Sequence, residues 1–293
     1  PLGHTRAFLK IEDGCNRACA YCIIPKARGR VRSRGLDNVL TELHSLAAEG
    51  YREVVLSGIN LCCYGLDIGS SLAEVVEQAA AVPGIERIRL GSVEPDLLSD
   101  ETLKRLAAVT KLCPQFHLSL QGGCAKTLLA MNRHYTPAEY AEVVQKMRGL
   151  FDRPVFTTDV IVGFPGESEE DFAESLAFVQ KIEFLKVHVF SYSQRSGTVA
   201  AKMPGQIDRQ VKLQRSHTMN TAAEAVRKKV IDGWQGQQDT VLLEQPVSKG
   251  LYTGYTTRYI PVVVPSASAT QGSIVPVTLG SFDGTRCRAA IVG

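Results

Sequence analysis

The chain has 293 residues, of which 44% are hydrophobic and 22% charged, and its formal net charge is +3. This balance is typical of a globular protein that can bury a core without disulfide staples. No stretch approaches the about 18–20 apolar residues of a membrane span, and the first residues do not resemble a secretion signal. We therefore expect a cytoplasmic protein with no membrane partner.

Six short apolar segments between residues 7 and 191 predict β-strands that alternate with amphipathic helices. In chain order they are Ala7–Ile11, Glu53–Ser57, Arg87–Gly91, Gln115–Leu120, Val155–Val162 and Lys186–Phe190. Such alternation predicts a parallel sheet with right-handed crossovers. Because six repeats fall short of the eight in a closed barrel, we predict an α/β fold with a partial, open (β/α)6 barrel. Its functional groups should lie at the carboxyl ends of the strands.

The helices between these strands carry the usual start signals, namely a serine or threonine cap, early acidic residues, or proline at the first helical position. They are predicted to begin near Leu36, Ser99, Thr136, Ser168 and Asp208. The last of them is long and charged and reaches about Ile231.

After Gly233 the character of the sequence changes. The segments TVLLEQ, GYTTRYIPVVV, GSIVPVTLG and RAAIVG are rich in β-formers and are separated by Gly and Pro. This pattern predicts a small antiparallel β-barrel of the OB-like, nucleic-acid-binding kind. We therefore expect two domains, residues 1–232 and residues 233–293.

Three of the eight cysteines, Cys15, Cys19 and Cys22, form a cluster directly after the first predicted strand. In a chain without a secretion signal, clustered cysteines indicate metal ligands before disulfides. Structural zinc sites and electron-transfer clusters use four protein ligands, whereas three thiolates on a 4Fe-4S cube leave one iron open. The alternative is a zinc site that takes a distant fourth cysteine.

A basic stretch follows the cysteine motif. Between Ile23 and Leu36 there are no acidic residues and five basic ones: Lys26, Arg28, Arg30, Arg32 and Arg34. We interpret these side chains as contacts to the phosphates of RNA, and the alternative is a solvated arginine-rich loop.

The region after Asp232 is nearly neutral, with four basic and three acidic residues. If it binds RNA, stacking must supplement charge. The candidates are Tyr252, Tyr255, Tyr259, Lys249, Arg258, Arg286 and Arg288. For any single tyrosine, a place in the barrel core is the alternative.

The spacing Cys15-x3-Cys19-x2-Cys22, with Tyr21 before the last cysteine, resembles the signature of the radical S-adenosylmethionine (SAM) enzymes. The resemblance implies a 4Fe-4S cluster whose open iron binds SAM. One electron from the reduced cluster would then cleave SAM and release a 5′-deoxyadenosyl radical that abstracts hydrogen from the substrate. No catalytic side chain is assigned beyond the cluster ligands.

The same resemblance implies contacts to SAM near the carboxyl ends of the later strands. The residues at matching positions are Ser57, Gly58, Asn60, Glu94, Gln121, Arg133, Asp159, Gly163 and Glu167. Structural alternatives exist for several of them. Glu94 and Asp159 could cap a helix or pair with an arginine, and Arg133 could form a surface salt bridge. Gly163 could serve only a tight turn.

Together these segments resemble the methylthiotransferases over nearly the whole chain. Gly254–Tyr259 is similar to the TRAM domain, an RNA-binding barrel, and Gly58–Asp67 is similar to the subgroup that methylthiolates N6-threonylcarbamoyladenosine beside the anticodon of tRNA. Family members carry a further amino-terminal domain with three more cysteines, and this chain starts just before the first strand. We therefore expect it to bind and cleave SAM without completing sulfur insertion. Gly122 and Ser191 stand where the family usually has Ser and often has Pro.

Two functions of different class follow. As an enzyme, the intact protein would replace the C2 hydrogen of the modified adenosine by a methylthio group. It would use two SAM molecules, tRNA as substrate and a flavodoxin-like electron donor, and would act as a monomer. Another modified adenosine or a ribosomal protein aspartate is the alternative substrate. As a binding module, the chain would be a metal-stabilised RNA-binding protein without catalysis.

Overall fold

The computed structural model describes residues 5–292. Residues 1–4 of the first expected domain and Gly293 of the second lie outside the described residues. The first nine strands are β1 (Arg6–Lys10), β2 (Glu12–Asp13), β3 (Arg32–Ser33), β4 (Glu53–Ser57), β5 (Arg87–Leu90), β6 (Ser92–Val93), β7 (Gln115–Leu118), β8 (Val155–Val162) and β9 (Lys186–Ser191). The α-helices are α1 (Ile24–Arg28), α2 (Leu36–Ala48), α3 (Leu72–Ala81), α4 (Asp100–Ala107), α5 (Ala125–Ala130), α6 (Pro137–Leu150), α7 (Glu169–Ile182) and α8 (Arg209–Asp232). Short 3-10 helices cover Leu61–Cys63, Pro95–Leu97 and Ala200–Lys202.

The parallel strands follow one another in space in the order of the sequence. β1, β4 and β5 form one parallel sheet, and β6, β7, β8 and β9 form another. Only Gly91 separates β5 from β6, and Ile88 bridges to Leu112 just before β7, so the two sheets continue one another. Within residues 5–292, β1 and β9 each pair on one side only. The predicted open (β/α)6 barrel is therefore confirmed, with its third strand divided in two.

Alternate residues of each parallel strand face the surrounding helices and the barrel interior. On β8, Phe156, Val160 and Val162 belong to the main hydrophobic core, and Thr157 and Asp159 point to the other face. The same alternation turns many polar side chains inward, namely Arg6, Glu53, Arg87, Arg89, Gln115, His117, Thr157, Asp159, Lys186 and His188. The interior thus differs from the apolar layers that fill a closed barrel.

The helices begin where their capping residues place them. The Thr136 hydroxyl accepts a hydrogen bond from the backbone N–H of Glu139, whose carboxylate accepts one from Thr136 in return. Ser168 and Asp171 form the same capping box at the start of α7, and Asp208 caps the long helix α8. Of the helices described, none combines the length and the apolar character that crossing a membrane requires.

The last five strands close into a small barrel. They are β10 (Gln238–Ser248), β11 (Leu251–Thr256), β12 (Pro261–Pro265), β13 (Ile274–Phe282) and β14 (Cys287–Ile291). Their order is β10-β11-β12-β14-β13, and all neighbouring pairs are antiparallel except β12 and β14, which are parallel. The segment GYTTRYIPVVV divides into β11 and β12 because the chain turns at Tyr259, whose φ is 62°. The predicted small barrel is confirmed apart from this parallel pair.

The small barrel docks on the amino-terminal ends of the parallel strands through a buried charge cluster. The side chain of Glu53 is fully buried and forms ion pairs with Arg6, Arg87 and Arg89 at 2.9, 3.1 and 2.7 Å. Arg89 also donates to the backbone oxygen of Thr256 at 2.6 Å. Burial alone would raise the pKa of Glu53, but the three guanidinium groups outweigh burial and lower the pKa. The carboxylate is therefore ionised at neutral pH and holds the arginines that contact the small barrel.

Replacing Glu53 by Gln should strongly destabilise the chain, because three buried guanidinium groups would lose their counter-charge. Removing one partner of a buried ion pair costs about 3–5 kcal/mol, and urea unfolding at neutral pH measures that loss. Glu142→Gln, at an exposed position of α6, is the matched control and should change stability by less than about 0.5 kcal/mol. Because the folded pKa of Glu53 is lowered, its contribution is present at neutral pH and disappears as the pH falls through that pKa. The variant should lack this part of the acid dependence; equal stability of both variants would contradict the assignment.

Candidate functional site

The cysteine loop lies at the carboxyl end of β1 and is fixed by its backbone. Gly14 adopts φ 80°, and a Cβ there would lie 2.1 Å from the backbone oxygen of Arg30, so only glycine fits. The N–H of Cys15 donates to the oxygen of Gly29 at 3.1 Å, and the N–H of Ala20 donates to the oxygen of Met131 at 2.9 Å. Two distant segments therefore hold the loop that carries the three thiols.

The thiols of Cys15, Cys19 and Cys22 are free and half-buried. Cys15 lines a cavity of about 420 Å³ together with Asn16 and Arg17. Burial raises the pKa of Cys15 and Cys22, and the neighbouring Cys19 thiol raises both further. Metal binding would therefore release protons from these thiols.

The three sulfur atoms do not form a ready-made site for a single ion. A tetrahedral zinc with Zn–S bonds of about 2.3 Å brings its thiolate sulfurs to about 3.8 Å from one another. In the described part of the chain, the sulfur atoms of Cys15, Cys19 and Cys22 do not all lie within 4.8 Å of one another, and no fourth His, Cys, Asp or Glu completes such a set with them. The described residues therefore do not present a preformed four-donor zinc site at the cysteine loop.

Arg133 connects the cysteine loop with Glu94, the residue that follows the third strand of the barrel. Its guanidinium donates to the sulfur of Cys19 at 3.2 Å and to the hydroxyl of Tyr135 at 3.1 Å, and it pairs with the Glu94 carboxylate. Its side chain is only 5% exposed, so it is not the surface salt bridge of the alternative interpretation. Burial raises the pKa of Glu94, although the charge of Arg133 opposes that shift. The site thus holds an arginine and a carboxylate beside one thiol.

Unsatisfied polar groups lie where β1 and β4 end. The Asn60 carboxamide is buried beside the Cys15 thiol, and neither its nitrogen nor its oxygen makes a regular hydrogen bond. One oxygen of Glu12 accepts from the backbone N–H of Asn60 at 2.9 Å, and the other has no hydrogen-bond partner. A Cβ on Gly58 would lie 2.5 Å from the Glu12 carboxylate, which requires glycine there. Buried polar atoms without partners indicate room for a polar ligand.

The remaining residues predicted to bind the cofactor differ in the hydrogen bonds they already make within the protein. Ser57 ends β4, and its backbone oxygen accepts from Ile11 at 2.9 Å. Gln121 adopts φ 67° and exchanges backbone hydrogen bonds with Asp159 and Ile161, both at 2.9 Å. The Asp159 carboxylate faces the barrel interior, where it lies 3.5 Å from Nε2 of His117.

Gly163 and Glu167 form a tight turn rather than an open polar surface. The backbone N–H of Gly163 donates to the Glu167 carboxylate at 2.8 Å, and Arg215 forms an ion pair with the same oxygen at 2.8 Å. A Cβ on Gly163 would lie 2.2 Å from Cγ of Lys212. One oxygen of the Glu167 carboxylate therefore holds the turn, and a contact from Glu167 or Gly163 to the cofactor stays a prediction.

The other five cysteines are spread over the fold and form no second cluster in residues 5–292. The Cys62 sulfur accepts from the backbone N–H of Glu94 at 3.3 Å, and burial raises the pKa of this thiol. Burial raises the pKa of Cys63 to about 11. Cys113, Cys124 and Cys287 are buried, as the interpretation of these thiols as packing residues predicts.

The basic stretch lies next to the cysteine loop, on α1 and on β3 and the residues flanking it. Arg28 and Arg32 share Asp13 at 3.4 and 3.8 Å, and the hydrogen bond from Lys10, more than any other contact, lowers the pKa of that carboxyl to about 2. Arg34 pairs with Glu42 at 2.7 Å, Lys26 donates to the backbone oxygen of Gly197, and Arg30 is exposed without an ion pair in the described residues. Positive charge thus remains at the mouth of the site.

The small barrel places its predicted RNA contacts unevenly. Arg258 is 8% exposed and is bound to Asp152 and Asp239 at 2.9 and 3.4 Å, so it joins the two barrels and is not on the accessible surface. Tyr255 and Tyr259 stack 4.4 Å apart, and Arg6 lies over both rings. Tyr252 is half-buried and packs against the small-barrel core, and the exposed basic residues are Lys249, Arg286 and Arg288.

Sequence reasoning missed several groups of the site. Glu12 and Arg17 are unremarkable in the sequence, yet Glu12 holds the backbone at Asn60 and Arg17 pairs with Asp96. His117 and His188 face the same interior, and the only sequence signal for them was their place on inward-facing strand positions. Their proximity depends on strand register, which a single sequence does not give.

Comparison with known proteins identifies the class of this fold and site. The model of the radical SAM superfamily matches residues 9–179, and the chain belongs to that superfamily of enzymes. Over 261 residues the chain is 40% identical to the threonylcarbamoyladenosine tRNA methylthiotransferase MtaB of Thermotoga maritima, covering 87% of this chain and 59% of that protein. It is 36% identical over 291 residues to a tRNA-2-methylthio-N(6)-dimethylallyladenosine synthase of Acetivibrio thermocellus, covering 98% and 61%. The chain thus spans about three fifths of the length of these curated relatives.

Solved structures share the fold. The radical S-adenosylmethionine methyltransferase TsrM of Kitasatospora setae matches with a TM-score of 0.53 at 18% sequence identity, over 63% of this chain and 36% of that one. The cofactors predicted from the cysteine motif, a 4Fe-4S cluster and SAM, are those of the superfamily.

Replacing Arg133 by Met should leave the Glu94 carboxylate buried without its counter-charge. We expect a loss of about 3 kcal/mol in urea unfolding of the metal-free protein, against less than about 0.5 kcal/mol for the exposed control Arg209→Met. Adding Glu94→Gln to Arg133→Met should recover at least about 1 kcal/mol, because it removes the stranded charge. Additive losses in the double variant would show that the two side chains do not interact.

Proposed function

We propose that this chain is the SAM-cleaving part of a methylthiotransferase that modifies an adenosine in tRNA. The observation that carries the proposal is the group of three free, half-buried thiols after β1. They lie beside Arg133, Glu94 and buried polar atoms without hydrogen-bond partners. The similarity to two kinds of tRNA methylthiotransferase over most of the chain supports it.

The residues at this site fit an iron–sulfur cluster. Cys15, Cys19 and Cys22 would hold it, since all three are free, half-buried thiols on one loop that follows β1. Together with SAM, such a cluster supplies one-electron chemistry that activates a C–H bond. The protein's part is to hold both groups, orient them and exclude water.

The charged side chains and the buried polar atoms without partners at this site suit a zwitterionic sulfonium ligand such as SAM. Asn60 and the free oxygen of Glu12 can satisfy an ammonium group, and Arg133 can satisfy a carboxylate in exchange for part of its pair with Glu94. We propose that Ser57, Gly58 and Gln121 contribute mainly backbone edges, with Asp159 at the border of the site and the Gly163–Glu167 turn next to it.

The substrate proposed is N6-threonylcarbamoyladenosine beside the anticodon. The resemblance of Gly58–Asp67 to that subgroup and the 40% identity to MtaB proteins from Thermotoga maritima and Chlamydia pneumoniae favour it. The dimethylallyl-adenosine synthases match at 36–42% identity, so another N6-modified adenosine is the main alternative. A ribosomal protein aspartate would not need the basic stretch beside the site.

We further propose that residues 1–232 form the catalytic domain and 233–293 the RNA-binding domain, which work as a monomer in the cytoplasm with a flavodoxin-like reductant. The break between the end of α8 and the start of β10 supports that boundary. Residues 5–292 contain one cysteine cluster. Sulfur insertion would therefore need a sulfur source that this chain alone does not provide.

Anaerobic reconstitution of Cys19→Ala tests the cluster site. The variant should bind little iron and form no 5′-deoxyadenosine from SAM, because two thiols cannot hold the cube. Cys287→Ala, in the small barrel, is the matched control and should keep the iron content and the SAM-dependent change of the reduced cluster's EPR signal. A fully loaded cluster in Cys19→Ala, or a wild-type cluster indifferent to SAM, would instead support a non-catalytic RNA-binding module.

Salt-dependent tRNA binding tests the basic stretch. The double variant Arg30→Gln/Arg32→Gln should bind tRNA more weakly. The negative slope of log K against log salt should become less steep by about 1.5, as expected for two lost phosphate contacts. Lys104→Gln/Arg209→Gln removes the same charge from exposed positions of two outer helices and should leave the slope unchanged. Equal slopes for both double variants would mean that the stretch is only a solvated loop.

A further inference from the structure

Three polar side chains meet on the inward face of the open barrel. His117, Asp159 and His188 lie on the neighbouring strands β7, β8 and β9, and Asp159 is the register partner of His188. One nitrogen or oxygen atom from each lies within 4.8 Å of the others. None of the three is needed to join the strands, because they project from the inward face.

In this group His117 is oriented by polar neighbours, whereas His188 has no hydrogen-bond partner in the described residues. Nδ1 of His117 lies 3.1 Å from the hydroxyl of Thr157, and its Nε2 points to Asp159 at 3.5 Å. His188 makes no hydrogen bond in the described part of the chain and is exposed to the interior. Asp159 therefore offers acceptor oxygens, and a neutral imidazole at His188 offers one donor and one acceptor.

Two exposed aromatic rings lie on the strands that flank the opening of the barrel. Phe190 lies two residues after His188 on β9 and is 54% exposed, and Phe8 on β1 is 61% exposed. Their neighbours Ala7, Leu9 and Val187 pack into the core, so both rings lie on the inward faces of the two strands that flank the opening. Exposed aromatic rings beside unpaired hydrogen-bonding groups are typical of sites that bind unstacked nucleobases.

We propose that His117, Asp159 and His188 bind the polar N6 substituent of the adenosine and thereby select threonylcarbamoyl over dimethylallyl. This inference rests on the proposed function. The threonylcarbamoyl group carries N–H and O–H donors for Asp159 and carbonyl and carboxylate acceptors for the imidazoles. A dimethylallyl group has none of these and would desolvate His188 and the Asp159 carboxylate without giving them new hydrogen-bond partners, which is how a hydrogen-bonding pocket rejects an apolar analogue.

The test uses the full chain with its cluster reconstituted and three anticodon stem-loop RNAs that differ only at one adenosine. That adenosine is threonylcarbamoylated, dimethylallylated or unmodified, and the dissociation constants are compared at one salt concentration. The wild-type chain should prefer the threonylcarbamoyl RNA to the dimethylallyl RNA by tenfold or more, on the order of one to two hydrogen bonds to charged groups. His188→Leu and His117→Leu should each reduce that ratio about tenfold, while His188→Asn, which keeps a donor and an acceptor, should retain part of it.

His44→Leu, at an exposed position of α2, is the matched control and should keep the wild-type ratio. Circular dichroism of each variant separates loss of folding from loss of selectivity. If the wild-type chain prefers the threonylcarbamoyl RNA but both leucine variants keep that preference, the inference is wrong and the proposed function stands. If the wild-type chain neither cleaves SAM nor binds any of the RNAs, the proposed function itself fails. Tight Co²⁺ binding to the cluster-loaded chain that His188→Leu abolishes, with an unchanged RNA ratio, would make the triad a metal site and overturn the inference.

Discussion

The Glu53 carboxylate, paired with three arginines, is the interaction on which the arrangement of this molecule depends. It closes the amino-terminal end of an open barrel and brings the small barrel against that end through Arg87 and Arg89. Desolvating four charged groups is favourable only when all of them are paired. The cluster therefore fixes the relative position of the two barrels and leaves the carboxyl end of the strands free for chemistry.

At the carboxyl end of the strands, another buried arginine, Arg133, makes contacts of a different kind. Arg133 binds a thiol, a carboxylate and a phenol at once, and all three partners come from different strand ends or loops. Its neighbours Asn60 and Glu12 keep polar atoms without partners. The arginines around Glu53 thus serve docking of the small barrel, whereas Arg133 lies beside polar groups without hydrogen-bond partners.

The parts of the fold that depend on local pattern were predictable. The six strands, the caps at Thr136 and Ser168, and the cysteine loop follow from periodicity, capping chemistry and spacing. The parts that depend on register and packing were not. The sequence predicts Arg258 as an RNA contact, but the side chain is buried between the barrels. The ion pair of Glu167 with Arg215 likewise has no local signal in the sequence. The meeting of His117 and His188 requires the alignment of separate strands, which no local signal encodes.

The two edge strands of the open barrel, β1 and β9, each pair on one side only in the described residues, and this affects behaviour at high concentration. Free edges invite pairing with another chain, and natural sheets discourage it by pointing charges inward along the edge strand. β1 carries Arg6 and Lys10 on its inward face, and β9 carries Lys186. The opening between β1 and β9 is thereby kept from recruiting a foreign strand, whereas the small barrel, closed on itself, needs no such protection.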